Sequence, residues 1–292
     1  MKINIKNTNS LKGTFLLLPS ILILLVTVIL PVMLTFRYSL KNYNLTEPYN
    51  EKFIWFENYI KVLKDPHFHN ALYNSIIILI LVMIIGLSFS MIIGIVLNRK
   101  SRITPFLTAL VIIPWAMPPI VNGIMWKFIF FPGYGFMNKV LMNLKIIDSP
   151  VSWTENRYLF LIVISIVVSW RIIPFSSLVI LANLQNIPKS YYDTMYVFGA
   201  NKLQAFYFVT LPLLLPSIGV VLINLTTTAL NIFDEVIAIS GYRFEIQTLL
   251  VYNYLNTFNF LDFGYGSAIS YIIMLISGIF GYFYVKSMAY EK

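Results

Sequence analysis

Six long, almost uncharged apolar segments dominate this sequence of 292 residues. An α-helix rises about 1.5 Å per residue, so roughly 20 apolar residues cross a hydrocarbon core about 30 Å thick. Every one of the six segments is long enough, and only the fourth contains a charge, Arg171. The sequence therefore predicts an all-α membrane protein, a polytopic bundle of six transmembrane helices with negligible strand. The segments cover residues 13–36, 70–98, 103–126, 158–188, 203–233 and 263–285.

Composition supports this prediction and excludes several other classes. Hydrophobic residues make up 58% of the chain and charged residues 11%, against about 45–50% and 25% in soluble globular domains. The chain has no cysteine, which excludes disulfides, iron–sulfur clusters and thiolate zinc sites. The net charge is +9, but the cations lie mostly beside the apolar segments, where contact with the lipid bilayer is a simpler explanation than nucleic acid.

The first apolar segment is predicted to be a retained helix. A signal peptide has about 7–15 apolar residues and then a small-residue cleavage site, whereas this segment has the length of a span and ends at Arg37 and Tyr38. Prolines within the spans predict kinks, above all the cluster at 114–119. The predicted organisation is one permease domain of about 70–286 that follows the first helix. Its parts are a tail at 1–13, spans at 14–36, 70–98, 103–127, 158–182, 213–236 and 263–285, and a loop at 187–212.

An even number of spans places both termini on the same side of the membrane. Equal numbers of lysine and arginine fall on the two sides, so the totals do not decide the orientation. Density does, because Arg99, Lys100 and Arg102 share one very short loop, and the positive-inside rule is strongest for short loops. We therefore predict a multi-pass cell-membrane protein with cytoplasmic termini.

The loop at 187–212 has an unusual composition. Ser190 and Asp193 form an S-x-x-D helix-start signal, and Gly199 is placed to end that helix. The helix would be more aromatic than is usual for a loop facing water, since it carries Tyr191, Tyr192, Met195, Tyr196 and Phe198. Composition alone leaves two interpretations about even: a helix that lies on the lipid surface, or a plug for a groove on another protein.

The spacing within this loop resembles a known motif. Asp193-Thr194-Met195 is followed after three residues by Gly199, and after nine more by Val209-Thr210-Leu211-Pro212. This pattern resembles the EAA loop of binding-protein-dependent ABC importer permeases, which reads E-A-A, three residues, G, nine residues, I-x-L-P. Aspartate replaces glutamate here, and Thr-Met replaces Ala-Ala. The resemblance implies an ATPase-coupling set of Ser190, Tyr191, Tyr192, Asp193, Met195, Tyr196, Gly199, Ala200, Leu211 and Pro212.

The resemblance extends over nearly the whole chain, to the maltose-type sugar permeases. The matching segments include 15–19, Asn58-Tyr59, 70–72, 97–100, 114–119, Trp170-Arg171, 230–234 and 263–266. The family implies the type I ABC importer permease fold and one half of a translocation path. It also implies a second homologous permease subunit in a heterodimer, two cytoplasmic ATPase subunits and an extracytoplasmic solute-binding protein. Its substrates are mainly sugars, oligosaccharides and glycerol phosphates.

The chain itself has no G-x-x-x-x-G-K-[ST] phosphate loop. We therefore predict that it is not an enzyme, that it holds no cofactor, and that ATP is bound by the partner subunits. His67 and His69 are two residues apart, a poor spacing for ligands on one helix face, so no metal site is predicted either.

Ionisable residues within spans are costly and usually functional. Arg171, Asp234 and Glu235 are the candidates here, and Arg171 and Asp234 are predicted to contact substrate in the path. The alternatives are a structural ion pair between Arg171 and Asp234, and a Glu235 side chain that reaches the interface. Along the fifth span Asn224, Thr227 and Asn231 share one face, suited either to sugar hydroxyls or to helix packing.

Two other classes of function remain open at this point. A proton-coupled secondary transporter would use Asp234 and Glu235 as a relay, and a membrane-embedded enzyme or assembly factor would need a catalytic constellation. The aromatic loop favours the ABC permease, because a proton-coupled carrier does not need a docking element for an ATPase.

Overall fold

The computed structural model describes residues 17–99 and 101–289, with side chains described up to residue 286. The predicted tail at 1–13 lies outside this part of the chain. The fold is almost entirely helical and consists of two compact units. The first unit runs up to Lys64 and includes Tyr254–Ile272, and the second contains Asp65–Asn253 together with residues from Ile273 onward. The predicted permease domain at 70–286 therefore includes a segment, 254–272, that groups with the N-terminal region.

The first unit is built around helix α1, Leu17–Ser39. It is followed by a minimal antiparallel pair, β1 (Lys41–Asn42) and β2 (Lys52–Phe53). Helix α2, Glu57–Lys64, comes next. The beginning of the last helix of the chain, Phe263–Ala289, completes the unit.

Asn58 and Gly264 join the parts of this first unit. The buried Asn58 amide donates hydrogen bonds to the carbonyl oxygens of Ser39, at 2.9 Å, and Lys41, at 2.8 Å. A Cβ added at Gly264 would lie 2.3 Å from the same Lys41 oxygen, so only glycine allows this approach. Both residues belong to segments that carried the family resemblance, and the contacts give a structural reason for them.

The second unit is a bundle of helices. Continuing in chain order, they are α3 (Pro66–Leu97), α4 (Thr104–Ala116), α5 (Pro119–Ile129), α6 (Phe136–Asn143), α7 (Arg157–Asn186), α8 (Lys189–Val197), α9 (Lys202–Leu230), α10 (Asp234–Ser240) and α11 (Leu249–Tyr254). The last helix, Phe263–Ala289, is α12.

Small residues let α3, α7 and α9 approach closely at the centre of this bundle. A Cβ added at Gly86 of α3 would lie 2.6 Å from the Leu225 side chain of α9, and one at Gly94 would lie 2.8 Å from that of Ile180 on α7. Within a membrane, close packing of this kind drives helix association, since lipid tails are as apolar as leucine. The α7 helix is accordingly the most buried of the long helices.

Five of the described helices are long and apolar enough to cross a membrane: α1, α3, α7, α9 and α12. The third predicted span, 103–127, differs from the expectation of one kinked helix. It is a pair, α4 and α5, bent by 98° at Met117-Pro118. Pro118 has no amide hydrogen to continue the helix, and Met117 before it is extended, with ψ of 134°. The count reaches six only if this pair is one span.

The fifth predicted span, 213–236, has different boundaries in the structure. Helix α9 begins at Lys202, inside the predicted loop, and ends at Leu230. The helix is interrupted at residues 231–233, and α10 starts at Asp234. Thr227 and Asp234 therefore do not belong to one continuous helix.

Candidate coupling loop and translocation surface

Helix α8, at the centre of the predicted coupling loop, begins one residue earlier than the sequence signal indicated. Its first residue is Lys189 and its N-cap is Pro188, which has no polar side chain to cap the helix. The prediction that a short helix begins near Ser190 is confirmed, but no side chain caps it, so Ser190 and Asp193 do not form a capping box. Ser190 and Asp193 are both exposed on the first turns.

The end of α8 agrees with the prediction for Gly199. The Gly199 amide donates to the Tyr196 carbonyl at 3.0 Å, and the Ala200 amide donates to the Met195 carbonyl at 3.0 Å. This pair of bonds is a Schellman motif, which requires a left-handed residue after the helix. Gly199 supplies it with φ of +78°. A Cβ added here would meet no atom within 4 Å, so the requirement for glycine is one of backbone conformation alone.

The chain enters α9 directly after this turn. The Asn201 side chain accepts from the Gln204 amide, and the Gln204 side chain accepts from the Asn201 amide, which forms a capping box. The Tyr192 hydroxyl lies 3.0 Å from the Thr210 hydroxyl, so α8 is also joined to the third turn of α9. Helix α8 is therefore connected by a side-chain contact to a helix long enough to span a membrane.

The exposed surface of α8 and its C-cap includes several large apolar side chains. Phe198 is 84% exposed and Val197 85% exposed, and Tyr191 and Tyr196 are each about half exposed. Among the other predicted coupling residues, Tyr192, Met195, Ala200 and Leu211 are half-buried and Pro212 is exposed, and Leu211 and Pro212 belong to α9. An exposed aromatic surface of this kind marks an interaction site.

Arg171 of α7 forms an ion pair with Glu235 of α10. Its Nε lies 2.8 Å from Glu235 Oε1, and the two side chains are 16% and 3% exposed. The sequence suggested Asp234 as the ion-pair partner of Arg171, and this is wrong, because the partner is Glu235. Asp234 begins α10, and its side chain is half-buried. Burial of both charges is tolerated because each neutralises the other.

Helix α5 packs tightly against this pair. A Cβ added at Gly123 would lie 2.9 Å from the Glu235 Cα and 2.6 Å from the Ala238 Cβ. Beside this contact, Asn122 donates to the Val167 carbonyl at 3.2 Å. Sequence reasoning missed both α5 residues, although an asparagine next to a glycine in an apolar segment was a usable signal.

Two of the predicted path residues, Asn224 and Thr227, lie on α9, and a third, Asn231, directly follows its last residue. Thr227 and Asn231 are exposed and Asn224 is half-buried. The Thr227 hydroxyl donates to the Ile223 carbonyl at 2.9 Å, and the Asn231 amide donates to the Thr227 carbonyl at 2.8 Å. These bonds use the Thr227 hydroxyl donor and one of the two Asn231 amide donors, so the second amide donor and both side-chain oxygens can bond to a ligand or to another chain.

Within residues 17–99 and 101–289, no group of three or more His, Cys, Asp or Glu side chains could hold a metal ion. His67 and His69 are exposed, and the His67 ring lies 4.1 Å from that of Phe244. The two histidines are surface residues, as their spacing indicated.

The family profile named binding-protein-dependent transport system inner membrane component matches residues 86–287. The chain belongs to this family. Among curated proteins, the trehalose/maltose transport system permease protein MalF of Thermococcus litoralis is 35% identical over 94% of this chain and 92% of its own length. The sulfoquinovosyl glycerol transport system permease protein SmoG of Agrobacterium fabrum is 32% identical over 91% of this chain and 87% of its own.

Solved structures support the same fold. A chain of a bacterial ABC transporter involved in the import of the acidic polysaccharide alginate superposes with a TM-score of 0.81, at 17% identity and over 97% of both chains. A chain of a bacterial alginate ABC transporter in complex with a pentasaccharide-bound periplasmic protein gives 0.79, at 17% identity over 94% of this chain and 93% of that one. At this identity the comparison shows the fold alone, the type I ABC importer permease fold.

These findings confirm the family resemblance and the class of function. The chain is the translocation subunit of an ATP-binding-cassette importer, and ATP hydrolysis belongs to a separate subunit. The proton-relay alternative is not favoured, and Glu235, one of its two residues, is buried against Arg171.

Proposed function

We propose that this chain forms one half of the path through which a sugar or a related polar solute crosses the membrane. The observation that carries the proposal is the exposed polar surface formed by Thr227, in the last turn of the largely apolar helix α9, and Asn231, the residue that follows this helix. An exposed polar group on a span needs water, a partner or a solute, because lipid cannot satisfy it. Relatives named for sugars and a sulfosugar glycerol support the same class of solute.

The proposal includes partners. A second homologous permease subunit would provide the other half of the path and cover the polar surface. Two cytoplasmic ATPase subunits would drive transport, and an extracytoplasmic binding protein would deliver the solute. Support comes from the family description, which names binding-protein-dependent transport, and from one structural neighbour determined with a periplasmic protein.

Helix α8 would receive the ATPase subunit. Its exposed Phe198, Val197 and Tyr191 offer an apolar contact surface, and the Tyr192–Thr210 bond connects α8 to the span that ends at the polar surface. The ATPase cycle would thus reach the path through α9. Arg171 and Asp234 border the same region of the path, Arg171 chiefly as the partner of Glu235.

The class of solute is tested by uptake into vesicles that contain the purified complex, with labelled maltose, trehalose and glycerol 3-phosphate offered in turn. ATP-dependent uptake of at least one of them is expected. Uptake of a solute outside the sugar and polyol classes, with none of these three accepted, would contradict the proposal.

Two adjacent threonines distinguish path lining from packing. Thr227 is exposed, whereas Thr226 is buried with its hydroxyl 3.0 Å from that of Tyr284. We expect Thr227→Ala to change the rate of uptake, or the ratio of rates for two solutes, by about fivefold, which is the effect of about one hydrogen bond. The yield of assembled complex should stay normal. The matched Thr226→Ala change should lower the yield of complex first. Equal behaviour of the two variants, or unchanged uptake in Thr227→Ala, would contradict the assignment of this surface.

Orientation is tested with single cysteines, since the chain contains none. Tyr49 is fully exposed before β2, and Asn186 is exposed at the end of α7. With cytoplasmic termini, an impermeant thiol reagent applied outside intact cells should label Tyr49→Cys and spare Asn186→Cys. The reverse pattern would invert the proposed topology.

A further inference from the structure

A cavity of about 1160 Å³ opens beside the coupling loop, where two of the long helices end. Its walls come from the end of α3, the start of α4, the end of α7 and the first turn of α8. We call it the basic cavity, because Arg99, Arg102 and Lys189 line it. Since α3 and α7 both end here, the cavity lies at the level where a bilayer gives way to water.

The cations of this cavity form no ion pair in the described part of the chain, although Asp193 lies one turn after Lys189 on α8. Among the described residues that line it, none is acidic. All three cationic residues are exposed. Like charges that line one space repel one another, and an anion bound in that space offsets this repulsion.

The inner wall of the same cavity is apolar. Leu97, Leu181 and Leu184, from the last turns of α3 and α7, line it together with hydroxyl and amide groups such as Thr104 and Gln185. The leucines lie on the last turns of α3 and α7, whereas Arg99 and Lys189 follow those helices in the chain, so the apolar lining belongs to the long helices and the cationic lining to the segments after them. A soluble anion such as inorganic phosphate would use only the cationic part.

A second cavity of about 450 Å³ adjoins the first and shares Asn98, Leu184 and Tyr192 with it. It adds a further cation, Lys202, at the start of α9. Tyr192 separates the two spaces, and its hydroxyl bonds to Thr210. The basic surface thus continues around the inner side of α8.

We propose that the basic cavity binds the headgroup of an anionic glycerophospholipid, with its acyl chains against the leucines. Guanidinium groups bind phosphate oxygens with two donors each, and basic pockets between spans favour lipids of net negative charge. A zwitterionic phosphatidylcholine brings its own cation and cannot relieve the repulsion among Arg99, Arg102 and Lys189. The basic cavity would therefore select lipids that have two acyl chains and a net negative charge.

Bound there, the lipid would contact Tyr192 and the first turn of α8. It would stabilise the position of α8 against the end of α7, so transport would depend on the anionic lipid content of the bilayer. This regulatory consequence rests on the proposed coupling role of α8, whereas the binding itself does not.

The test is native mass spectrometry of the purified full-length chain in mixed micelles with equal amounts of phosphatidylglycerol and phosphatidylcholine of identical acyl chains. We expect at least one retained phosphatidylglycerol and a clear preference over phosphatidylcholine. The variant Arg99→Gln/Arg102→Gln/Lys189→Gln should lose about fivefold in affinity per cation removed. A matched control, Lys52→Gln/Lys64→Gln/Lys139→Gln, removes three exposed charges elsewhere and should keep the preference.

Two further measurements distinguish a lipid headgroup from soluble phosphate, and lipid binding from its effect on transport. Inorganic phosphate and glycerol 3-phosphate, each added at millimolar concentration, should fail to displace the lipid; displacement would identify a site for soluble phosphate and overturn the proposal. Equal loss in the test and control variants, or no preference in the wild-type chain, would also overturn it. Preference with no effect of lipid on ATP-driven uptake would leave the site intact and contradict only its coupling role.

Discussion

Arg171→Met is expected to destabilise the protein by about 3 kcal/mol, because it leaves Glu235 as a buried charge without a partner. The pair joins α7 to α10 at 2.8 Å, with Glu235 3% exposed. Loss of the cation should lower the apparent melting temperature and the yield of assembled complex. The double variant Arg171→Met/Glu235→Gln removes both charges and should recover most of that loss.

The exposed pair Lys61–Glu57 provides the control. Its atoms lie 3.0 Å apart, but both side chains are more than half exposed, so Lys61→Met should cost well under about 1 kcal/mol. Thermal unfolding of the four purified proteins measures the difference. If Arg171→Met kept the wild-type melting temperature and lost only uptake, the pair would be part of the path and not a structural connection.

Gly199→Val is expected to reduce uptake at least about tenfold while the chain still inserts. The left-handed conformation at φ of +78° costs a side-chain-bearing residue about 1–2 kcal/mol, and a β-branched one more. The Schellman turn would open, and α8 would leave its position relative to α9. Less ATPase subunit should then be retained when the complex is purified.

Two further variants isolate the cause. Asparagine tolerates the left-handed region best after glycine, so Gly199→Asn should keep most of the uptake. Gly278→Val adds the same side chain in α12 at a position where, as at Gly199, a Cβ meets no atom within 4 Å, but where φ is not positive. It should leave ATPase retention unchanged. Normal uptake and retention in Gly199→Val would refute the importance of this turn.

The class of fold could be predicted because it depends on local quantities. Segment length, the absence of charge and the positions of proline are all read along the chain, and the bilayer imposes helices on any such segment. The glycine at 199 could be predicted for the same reason, since a helix end within an aromatic loop is a local feature.

Helix boundaries near prolines and caps were harder to predict. Pro118 gave a kink in the prediction and a 98° bend in the structure, because the size of a bend depends on which neighbours satisfy the freed backbone groups. Pro212 suggested a boundary between loop and span, yet the helix runs through it from Lys202, since the capping box at Asn201 starts the helix earlier.

The sequence by itself determined that this chain is an α-helical membrane protein with an aromatic, glycine-ended loop, because hydrophobicity and helix-end signals act between residues that are close in the chain. Only the tertiary structure decided that Arg171 pairs with Glu235, that α5 packs on Glu235 through Gly123, and that Thr226 is buried while Thr227 is exposed. These depend on the rotation of each helix about its axis and on the break at 231–233. Adjacent charges such as Asp234 and Glu235 look equivalent in a sequence, and they differ only when packing turns one of them toward a distant helix.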